Sequence, residues 1–250
     1  MPSTRSVEGG PKRRTARFHL LAGLLGAAGA LAFLAGPAAA ADCRAAAAPS
    51  IDWQDCNKSN LILRESPLAG ANLVGTDLSY SDLRNSDLTG ADLEKATLTR
   101  ASLAGSKADG AKFHRIEGYR TLFNEISATG SSFASAELQR ADFTGAKLDG
   151  ANFEKAELGR GVFTGASIGG VKFAFANLAR ARFDGATFSK PLELTGAFLF
   201  LTRLDGLDLS ASTGLQQAQI DQACGDDKTK LPQGLKQPEG WPCSPMEEDE

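Results

Sequence analysis

A five-residue repeat dominates this sequence of 250 residues and restricts the folds open to it more than any other feature. From residue 61 to residue 190 the chain divides into 26 consecutive blocks of five, such as Ala71–Gly75 and Ala91–Lys95. The third position of a block is nearly always Leu or Phe, and the first is usually Ala, Ser or Thr. One such block is uninformative, but 26 blocks in one phase indicate a fold in which every block is a structural unit.

This pattern resembles that of the pentapeptide-repeat family, A-(D/N)-L-x-x, over most of the chain beyond residue 40. The resemblance implies an all-β fold, a right-handed quadrilateral β-helix in which four five-residue faces complete each coil of twenty residues. Neighbouring coils would then pair as parallel strands about 4.8 Å apart.

The phenylalanines support the twenty-residue period independently. Phe recurs every ten residues at the central block position, so a coil of twenty residues places it on two opposite inner walls. Each buried ring would contribute on the order of 1.5–3 kcal/mol before ordering entropy is subtracted. This predicted core ladder consists of Phe113, Phe123, Phe133, Phe143, Phe153, Phe163, Phe173 and Phe183.

Two blocks lack a large central residue. Gly118 and Ala128 occupy central positions, but their blocks open with Ile116 and Ile126. Because side chains two residues apart in an extended segment point to the same side, we expect the isoleucines to fill the interior.

The ends of the blocks predict the corners. Glycine recurs there at twenty-residue intervals, as in Gly70 and Gly90. We expect type II turns at these corners, where the third turn residue needs a positive φ, and type I-like turns at corners that end in Arg or Lys. Pro191 then breaks the phase by one residue. Four looser blocks follow, centred on Leu194, Leu199, Leu204 and Leu209.

The first forty residues have the features of a secretory signal peptide. A basic segment precedes an apolar stretch over about residues 18–34, and Ala38–Ala40 offers an A-x-A cleavage site. We therefore expect a bacterial protein that is periplasmic or secreted. The alternative is an uncleaved anchor, which would make the chain a membrane-associated structural protein, because the apolar stretch approaches the roughly 20 residues that span a bilayer.

Export also bears on the four cysteines. They allow three pairings, and an oxidising compartment together with two sequence-local pairs favours Cys43–Cys56 and Cys224–Cys243. Each bridge would staple one end of the molecule. Metal binding is not expected, because CxxC spacing and nearby histidine are both lacking.

Five segments follow from these features: a signal peptide at 1–40, an N-terminal cap at 41–60, the solenoid at 61–211, a C-terminal cap at 212–243 and an acidic disordered tail at 244–250. Trp53 should help to cover the first coil, and Trp241 should pack in the C-terminal cap. A capping box at Thr213–Gln216 predicts a short helix there that ends at Gly225.

Charge and composition argue against nucleic-acid binding and catalysis. Without residues 1–40 the chain has 22 basic and 29 acidic residues, a net charge of −7, whereas residues 61–190 have 16 and 15, a net charge of +1. Gly165–Gly169 matches G-x-S-x-G but lies in repeat phase, so the sharp turn of a nucleophile elbow is not expected. We expect no enzyme activity and no cofactor.

One polar column stands out on the predicted surface. Arg100, Arg120, Arg140, Arg160 and Arg180, here called the arginine column, are twenty residues apart and should share one corner, with Tyr80 at its head. Glu117, Glu137 and Glu157 form a second column on the same wall, and Lys95, Arg115 and Lys155 lie at a neighbouring corner.

The arginine column has two interpretations. It is a solvated ladder of ion pairs in which the glutamates relieve repulsion, or it is a strip that grips carboxylates or phosphates of a partner, with Tyr119 and His114 as accessories.

Three functions therefore stay open: an exported, non-catalytic scaffold that binds a protein or an anionic component of the cell envelope, a DNA mimic, and an anchored structural protein. The family resemblance suggests the second, because some members protect type II topoisomerases by imitating DNA. The near-neutral repeats and the predicted export oppose it. A monomer is expected, since both ends of the solenoid are capped.

Overall fold

A computed structural model describes residues 41–243, which belong to a single structural unit. The predicted signal peptide at 1–40 and acidic tail at 244–250 lie outside the described residues. Within residues 41–243 there is no helix with the length and apolar character that a membrane span requires.

The backbone advances in coils of twenty residues. Parallel bridges, each a single residue long, recur every five residues, so one coil has four extended faces separated by four two-residue corners. The rungs are regular: the N–H of Leu73 donates to the carbonyl of Asp92 at 2.7 Å, and the N–H of Asp92 donates to Ala71 at 2.9 Å. The first four bridges are Asp52–Asn72, Asn57–Asp77, Ile62–Asp82 and Pro67–Asp87.

The block positions divide between interior and surface because side chains alternate along an extended segment. The first and third positions point inward, as Ala71 and Leu73 do, and the second position, such as Asn72, points outward. The interior is therefore a narrow column of Leu, Phe and small residues.

The coils begin ten residues before the predicted boundary at residue 61. Asp52 already bridges to Asn72, and Trp53 lies buried at a central block position, so residues 51–60 form half a coil rather than a separate cap. The next central residue is Lys58, whose Nζ lies 3.8 Å from the centroid of the Trp53 ring and donates to the carbonyl of Cys43 at 2.8 Å. Burial lowers the pKa of Lys58. The Leu/Phe pattern did not predict this half coil, because Trp and Lys occupy its central positions.

Pro191 shifts the register of the later coils by one residue. Bridged residues are 20 apart at Ser167–Thr187 and 21 apart at Lys172–Glu193. The extra residue is accommodated at the corner before Leu192, and the following leucines are again buried.

The predicted C-terminal cap supplies strands of its own. Cys224 bridges to Arg203, and Lys230 bridges to Asp208, so regular pairing extends beyond the predicted boundary at residue 211. This segment therefore covers the last full coil by continuing its hydrogen-bond pattern.

The C-terminal helix is shorter and later than predicted. Helix α1 spans Gln217–Ile220, and its capping interaction joins the N–H of Gln216 to Oε1 of Gln219 at 2.8 Å. The predicted capping box at Thr213–Gln216 does not form, because Thr213 is held extended by its bridge to Glu193. The helix also ends well before Gly225.

Both predicted disulfides are confirmed. Cys43–Cys56 joins Cα atoms 5.4 Å apart, and Cys224–Cys243 joins Cα atoms 5.5 Å apart. The second bridge holds Trp241 near the last coil, where its Nε1 donates to the carbonyl of Ala223 at 2.8 Å.

The phenylalanines stack on two walls of the interior. Rings on the same wall lie nearly parallel, with centroids 4.8 Å apart for Phe123–Phe143 and 5.1 Å for Phe143–Phe163. Rings on opposite walls meet edge to face, as Phe133 and Phe143 do at 5.7 Å and 88°. Both geometries are favourable for aromatic pairs, so every ring of the stack interacts along and across the column.

The interior is also filled at the two blocks that have small central residues. Ile116, Ile126 and Ala128 are buried, and a Cβ on Gly118 would lie 2.8 Å from Cδ2 of Leu138. Leu138 of the next coil thus occupies the space above Gly118.

The prediction of type I-like corners at Arg and Lys is wrong. Arg100 and Arg120 have φ angles of 56° and 55°, in the left-handed region, like Gly110 with 66°. The N–H of Arg100 donates to the carbonyl of Tyr119 at 3.0 Å, just as that of Gly110 donates to Thr129 at 3.0 Å. Coil stacking imposes one corner geometry, because every fifth-position N–H must reach the next coil, and the side chain does not alter it.

Candidate partner-binding surface

The arginine column forms one edge of the solenoid. Successive corners are joined by backbone hydrogen bonds, from Arg120 to the carbonyl of Gln139 at 3.0 Å and from Arg140 to that of Gly159 at 2.9 Å. Because parallel strands are about 4.8 Å apart, the five α-carbons extend over about 19 Å. The structure thus brings all five arginines to a single corner.

Two tyrosines contact the N-terminal part of the column. The guanidinium carbon of Arg100 lies 5.9 Å from the Tyr80 ring centroid, and that of Arg120 lies 5.5 Å from the centroid of Tyr119. Both distances allow a cation–π contact. Tyr80 and Tyr119 are 54% and 39% exposed, so the paired surface faces solvent.

The glutamates do not form the predicted ion-pair ladder. Glu117, Glu137 and Glu157 bridge to one another on the flat face that precedes the arginine corner. Within residues 41–243, none of them has a carboxylate oxygen within 4.0 Å of an arginine of the column. Asn177 Nδ2 donates to Oε2 of Glu157 at 2.8 Å. Second-position side chains project from the face, away from the corner, which separates the two columns.

The neighbouring basic corner is neutralised locally. Glu94 lies 3.6 Å from Nη1 of Arg115 and 3.8 Å from Nζ of Lys95, and Glu154 lies 3.0 Å from Nζ of Lys155. In contrast, Arg100, Arg120 and Arg140 form no salt bridge within the described part of the chain. The two basic corners therefore differ in the charge that they present.

His114 is not an accessory of the arginine column. It lies at the corner of Lys95 and Arg115, one whole face away, and its Nε2 contacts Oγ of Ser132 at 2.6 Å. The half-buried ring is thereby fixed against its own face. Of the two predicted accessories, only Tyr119 lies beside the column.

Other arginines near the N-terminal end are occupied by a carboxylate. Arg84 donates from Nη2 to Oδ2 of Asp82 at 2.7 Å, and Arg64 donates from Nε to the same oxygen at 2.5 Å. The hydrogen bonds from Arg84, supported by Arg64, hold the pKa of Asp82 well below its usual range. The contact between Arg64 and Asp82 links two successive coils, and the Asp82 carboxylate neutralises part of the charge of both arginines.

Several contributors to the surface were not predicted from the sequence. Phe200 is 43% exposed beside Arg180, whose N–H donates to the Phe200 carbonyl at 2.8 Å, and its ring stacks on exposed Phe198 at 6.2 Å. Arg182 and Arg203 are bridged to each other on the next face. The one-residue shift at Pro191 hides these neighbours, and counting 21 residues instead of 20 past it would have revealed them.

The G-x-S-x-G motif forms part of a regular coil. Ser167 of the G-x-S-x-G motif donates to Oδ2 of Asp149 at 2.6 Å and belongs to an ordinary coil. Within residues 41–243, no group of three His, Cys, Asp or Glu side chains could hold a metal ion. A void of about 10 Å³ near Leu194 is lined by apolar side chains and has room for about one water.

Comparisons with known proteins agree on the class. Residues 55–94, 77–115 and 129–165 match the family described as Pentapeptide repeats, with eight copies. Residues 55–115 and 129–165 therefore consist of pentapeptide repeats of this family, as the sequence indicated. A search of curated proteins gives no match.

Solved structures of pentapeptide-repeat proteins are similar to this chain. QnrB1, described as a plasmid-mediated fluoroquinolone resistance protein, superposes with a TM-score of 0.51 at 18% identity, over 72% of this chain and 91% of its own. HetL from the cyanobacterium Nostoc, described as involved in the regulation of heterocyst differentiation, has a TM-score of 0.31 at 26% identity, over 77% and 81%.

A pentapeptide-repeat protein of the Arabidopsis thaliana thylakoid lumen has a TM-score of 0.33 at 28% identity, over 41% of this chain and 68% of its own. The superposition with QnrB1 implies a right-handed β-helical solenoid. At 18% identity, the likeness to QnrB1 shows the fold alone.

Proposed function

We propose that this chain is an exported, non-catalytic scaffold whose arginine column binds an anionic surface of a protein partner. The observation that carries the proposal is the contrast between the two basic corners. Cations at the corner of Lys95, Arg115 and Lys155 have carboxylate partners, whereas Arg100, Arg120 and Arg140 have none within 4.0 Å in residues 41–243.

The chemistry of the column suits a protein partner. Arginine and tyrosine are enriched at the energetic centres of interfaces, and guanidinium groups pair with carboxylates in a planar, two-pronged geometry. Tyr80 and Tyr119 contact the first two arginines, which restricts their motion before a partner arrives. Less side-chain entropy is then lost on binding.

Export and the lack of catalysis rest on separate features. Two disulfides stabilise proteins in oxidising compartments, which agrees with the signal peptide predicted at 1–40. Catalysis needs a cavity with convergent polar groups, whereas the coils are filled by Leu and Phe. Positive charge along an exposed edge also disfavours a DNA mimic, which requires a negative field.

The test compares two triple variants of equal charge. R100A/R120A/R140A removes three cations from the column, and K95A/R115A/K155A removes three from the other corner. Fluorescein-labelled poly-L-glutamate, a model of an anionic protein surface, is titrated with each variant, and partners are captured from a periplasmic extract. We expect the column variant to bind about tenfold more weakly and to lose the captured protein, while the control changes little.

A uniform outcome would contradict the proposal. If both variants lose equal affinity, only net charge matters, and if neither does, the column is structural. Circular dichroism of both variants establishes that their coils are intact.

A further inference from the structure

We infer that two copies of this chain associate side by side through the wall that carries Glu117 and Glu137 beside Arg120 and Arg140. The arginines of each copy would then face the glutamates of the other. The inference deepens the proposed function by naming a partner, so it rests on the arginine column as a binding surface. The monomer predicted from the sequence rested on capped ends, whereas this dimer uses a wall.

The two charged columns advance together along the solenoid. Glu117 bridges to Glu137, and the N–H of Arg120 donates to the carbonyl of Gln139, the residue before Arg140. Each column therefore rises by one strand spacing, about 4.8 Å, per coil. Arg120 follows Glu117 by three of the twenty residues of a coil, which is a rise of only about 0.7 Å. Each glutamate thus lies level with one arginine.

These charges do not pair within one chain. In residues 41–243 the carboxylates of Glu117 and Glu137 form no salt bridge or hydrogen bond, and Arg120 and Arg140 form no salt bridge. Three residues separate the two columns, so their backbones are at most about 10 Å apart. The wall therefore presents acids and bases in equal number, and carboxylate and guanidinium groups of two copies can pair strongly.

Symmetry determines how two such walls can meet. Identical chains usually associate around a two-fold axis. In an antiparallel arrangement the axis places each column against itself, so arginine meets arginine. In a parallel arrangement, with the axis between the columns, each arginine faces a glutamate of the same coil. Glu117 then pairs with Arg120 of the second copy and Glu137 with Arg140, which makes four ion pairs with their symmetry mates.

The residues next to this axis suit close packing. They occupy the fourth block position, between the two columns, and comprise Tyr119, Gln139, Gly159, Ala179 and Phe200. Tyr119 and Phe200 are 39% and 43% exposed, whereas Gly159 and Ala179 between them are small and allow the walls to approach. Each of the two rings would meet its own copy across the axis, and aromatic side chains are enriched at the centres of interfaces.

Both columns become apolar at the same coil. Phe198 bridges to Asn177 and so continues the glutamate column, and it is 47% exposed. Leu201 lies 21 residues after Arg180, and its φ of 53° matches the arginine corner. In the parallel dimer Phe198 would face Leu201 of the second copy, so an apolar contact replaces the ion pair. Burying such exposed apolar groups favours association.

The size of the shared strip predicts a reversible dimer. The strip is about 10 Å wide, and it extends over six coil spacings from Tyr80 to Leu201, or about 29 Å. This area is at the lower end of those found in specific complexes, where association is weak. The ion pairs lie near solvent, so salt should weaken the dimer further.

The first measurement is sedimentation equilibrium of the chain, with both disulfides formed, from about 10 µM to about 1 mM. We expect the weight-average mass to rise toward twice that of one chain, and 0.5 M salt to weaken association at least about tenfold. R120E/R140E and E117R/E137R should each dimerise at least about tenfold more weakly, because like charges then face each other. A native chain that stays monomeric throughout at low salt would overturn the inference.

Mixing the two variants tests the pairing itself. R120E/R140E has an acidic wall and E117R/E137R a basic one, so together they should form a heterodimer at least about tenfold tighter than either variant alone. The matched control is K107E/K147E, which makes the same change in net charge on the opposite wall. Mixed with E117R/E137R, it should show no such gain. If both mixtures associate equally, net charge alone explains the attraction, and the inference is wrong.

A nitroxide label at Ser79 tests the orientation. Ser79 occupies the fourth block position six coils before Phe200, so a parallel dimer brings the two labels together near the axis. An antiparallel dimer would separate them by about 29 Å. We expect double electron–electron resonance to give a distance below about 20 Å, and a distance of about 29 Å would contradict the parallel arrangement.

Titration with fluorescein-labelled poly-L-glutamate separates this inference from the proposed function. A monomeric native chain whose affinity for the peptide falls in R100A/R120A/R140A would overturn the dimer and support the proposed function. A dimer that the charge variants restore on mixing, in a chain that does not bind poly-L-glutamate, would support the dimer and contradict a general role in binding anionic surfaces.

Discussion

Replacing column arginines by glycine should stabilise the solenoid while it removes the proposed binding surface. Arg100, Arg120 and Arg140 lie at φ angles of 56°, 55° and 59°. A left-handed conformation costs a residue with a Cβ about 1–2 kcal/mol. Glycine avoids this cost but loses about 0.5–1 kcal/mol more than alanine in conformational entropy on folding. The net gain is about 0.5–1 kcal/mol per site, or roughly 2 kcal/mol for three sites.

The comparison that isolates this term is R100G/R120G/R140G against R100A/R120A/R140A. Both variants lose the guanidinium groups and their contacts with tyrosine, so only the backbone term differs. Urea unfolding with the disulfides intact, followed by far-UV circular dichroism, gives the free energies of unfolding. We expect the glycine variant to be more stable by roughly 2 kcal/mol at an unchanged m-value.

The reverse substitution provides an internal control. Gly90, Gly110 and Gly130 are left-handed, and a Cβ added at any of them would meet nothing within 4 Å. G90A/G110A/G130A should therefore lose a similar roughly 2 kcal/mol through backbone strain alone. If the glycine variant of the column were less stable than the alanine variant while G90A/G110A/G130A lost stability as expected, the strain assigned to the arginine corner would be wrong.

Three further outcomes follow from the packing, the disulfides and the charges. Phe143→Ala should lower the free energy of unfolding in urea by about 3–5 kcal/mol, because the Phe143 ring is enclosed by four others. Phe175→Ala, at a site 58% exposed, should lower it by less than about 1 kcal/mol. Equal losses would contradict the stacked core. Replacing Cys224 and Cys243 by Ser removes a link between residues 19 apart and should lower the free energy of unfolding by about 3 kcal/mol. Amide hydrogen exchange should then increase first in residues 213–243. Uniform acceleration along the chain would contradict this prediction. The folded-state pKa of Asp82 is depressed, so its contribution to stability is complete above about pH 4 and is lost as the pH falls below that value. The difference in unfolding free energy between the native chain and Asp82→Asn should therefore shrink between pH 5 and pH 2. A constant difference would refute the assignment.

The regular part of the fold could be predicted because period, burial and residue type agree. A coil of twenty residues assigns each Phe to a wall, and Ile116 compensates for Gly118 inside one block. Edge-to-face contacts between the walls, as between Phe133 and Phe143, could not be predicted, because they depend on the width of the coil.

The differences arise where backbone demands override residue preference. Arg100 adopts the left-handed region because its N–H must reach the next coil, although its side chain disfavours that conformation. Thr213 resembles a helix cap in sequence, yet its bridge to Glu193 keeps it extended. Both outcomes depend on residues about twenty positions away, which local patterns do not record.

The candidate surface was predicted in its spacing but not in its electrostatics. Periodicity placed the arginine column on one corner, and it placed Glu117 and Glu137 on the same wall. Whether those charges meet depends on the direction in which each block position projects, and Glu94 and Glu154 proved to be the acids that neutralise a basic corner. His114 likewise shares a coil with the column but not an edge.

The constant circumference of the coils has a consequence for how such a chain can change in length. Duplicating or deleting twenty residues would add or remove one complete coil, with one arginine on the same edge, and leave the other coils unchanged. The number of arginines that such a chain presents to a partner would therefore change by one with each coil gained or lost. Insertions of other lengths would shift the register of all later coils. The single extra residue at Pro191 avoids this because a corner accommodates it.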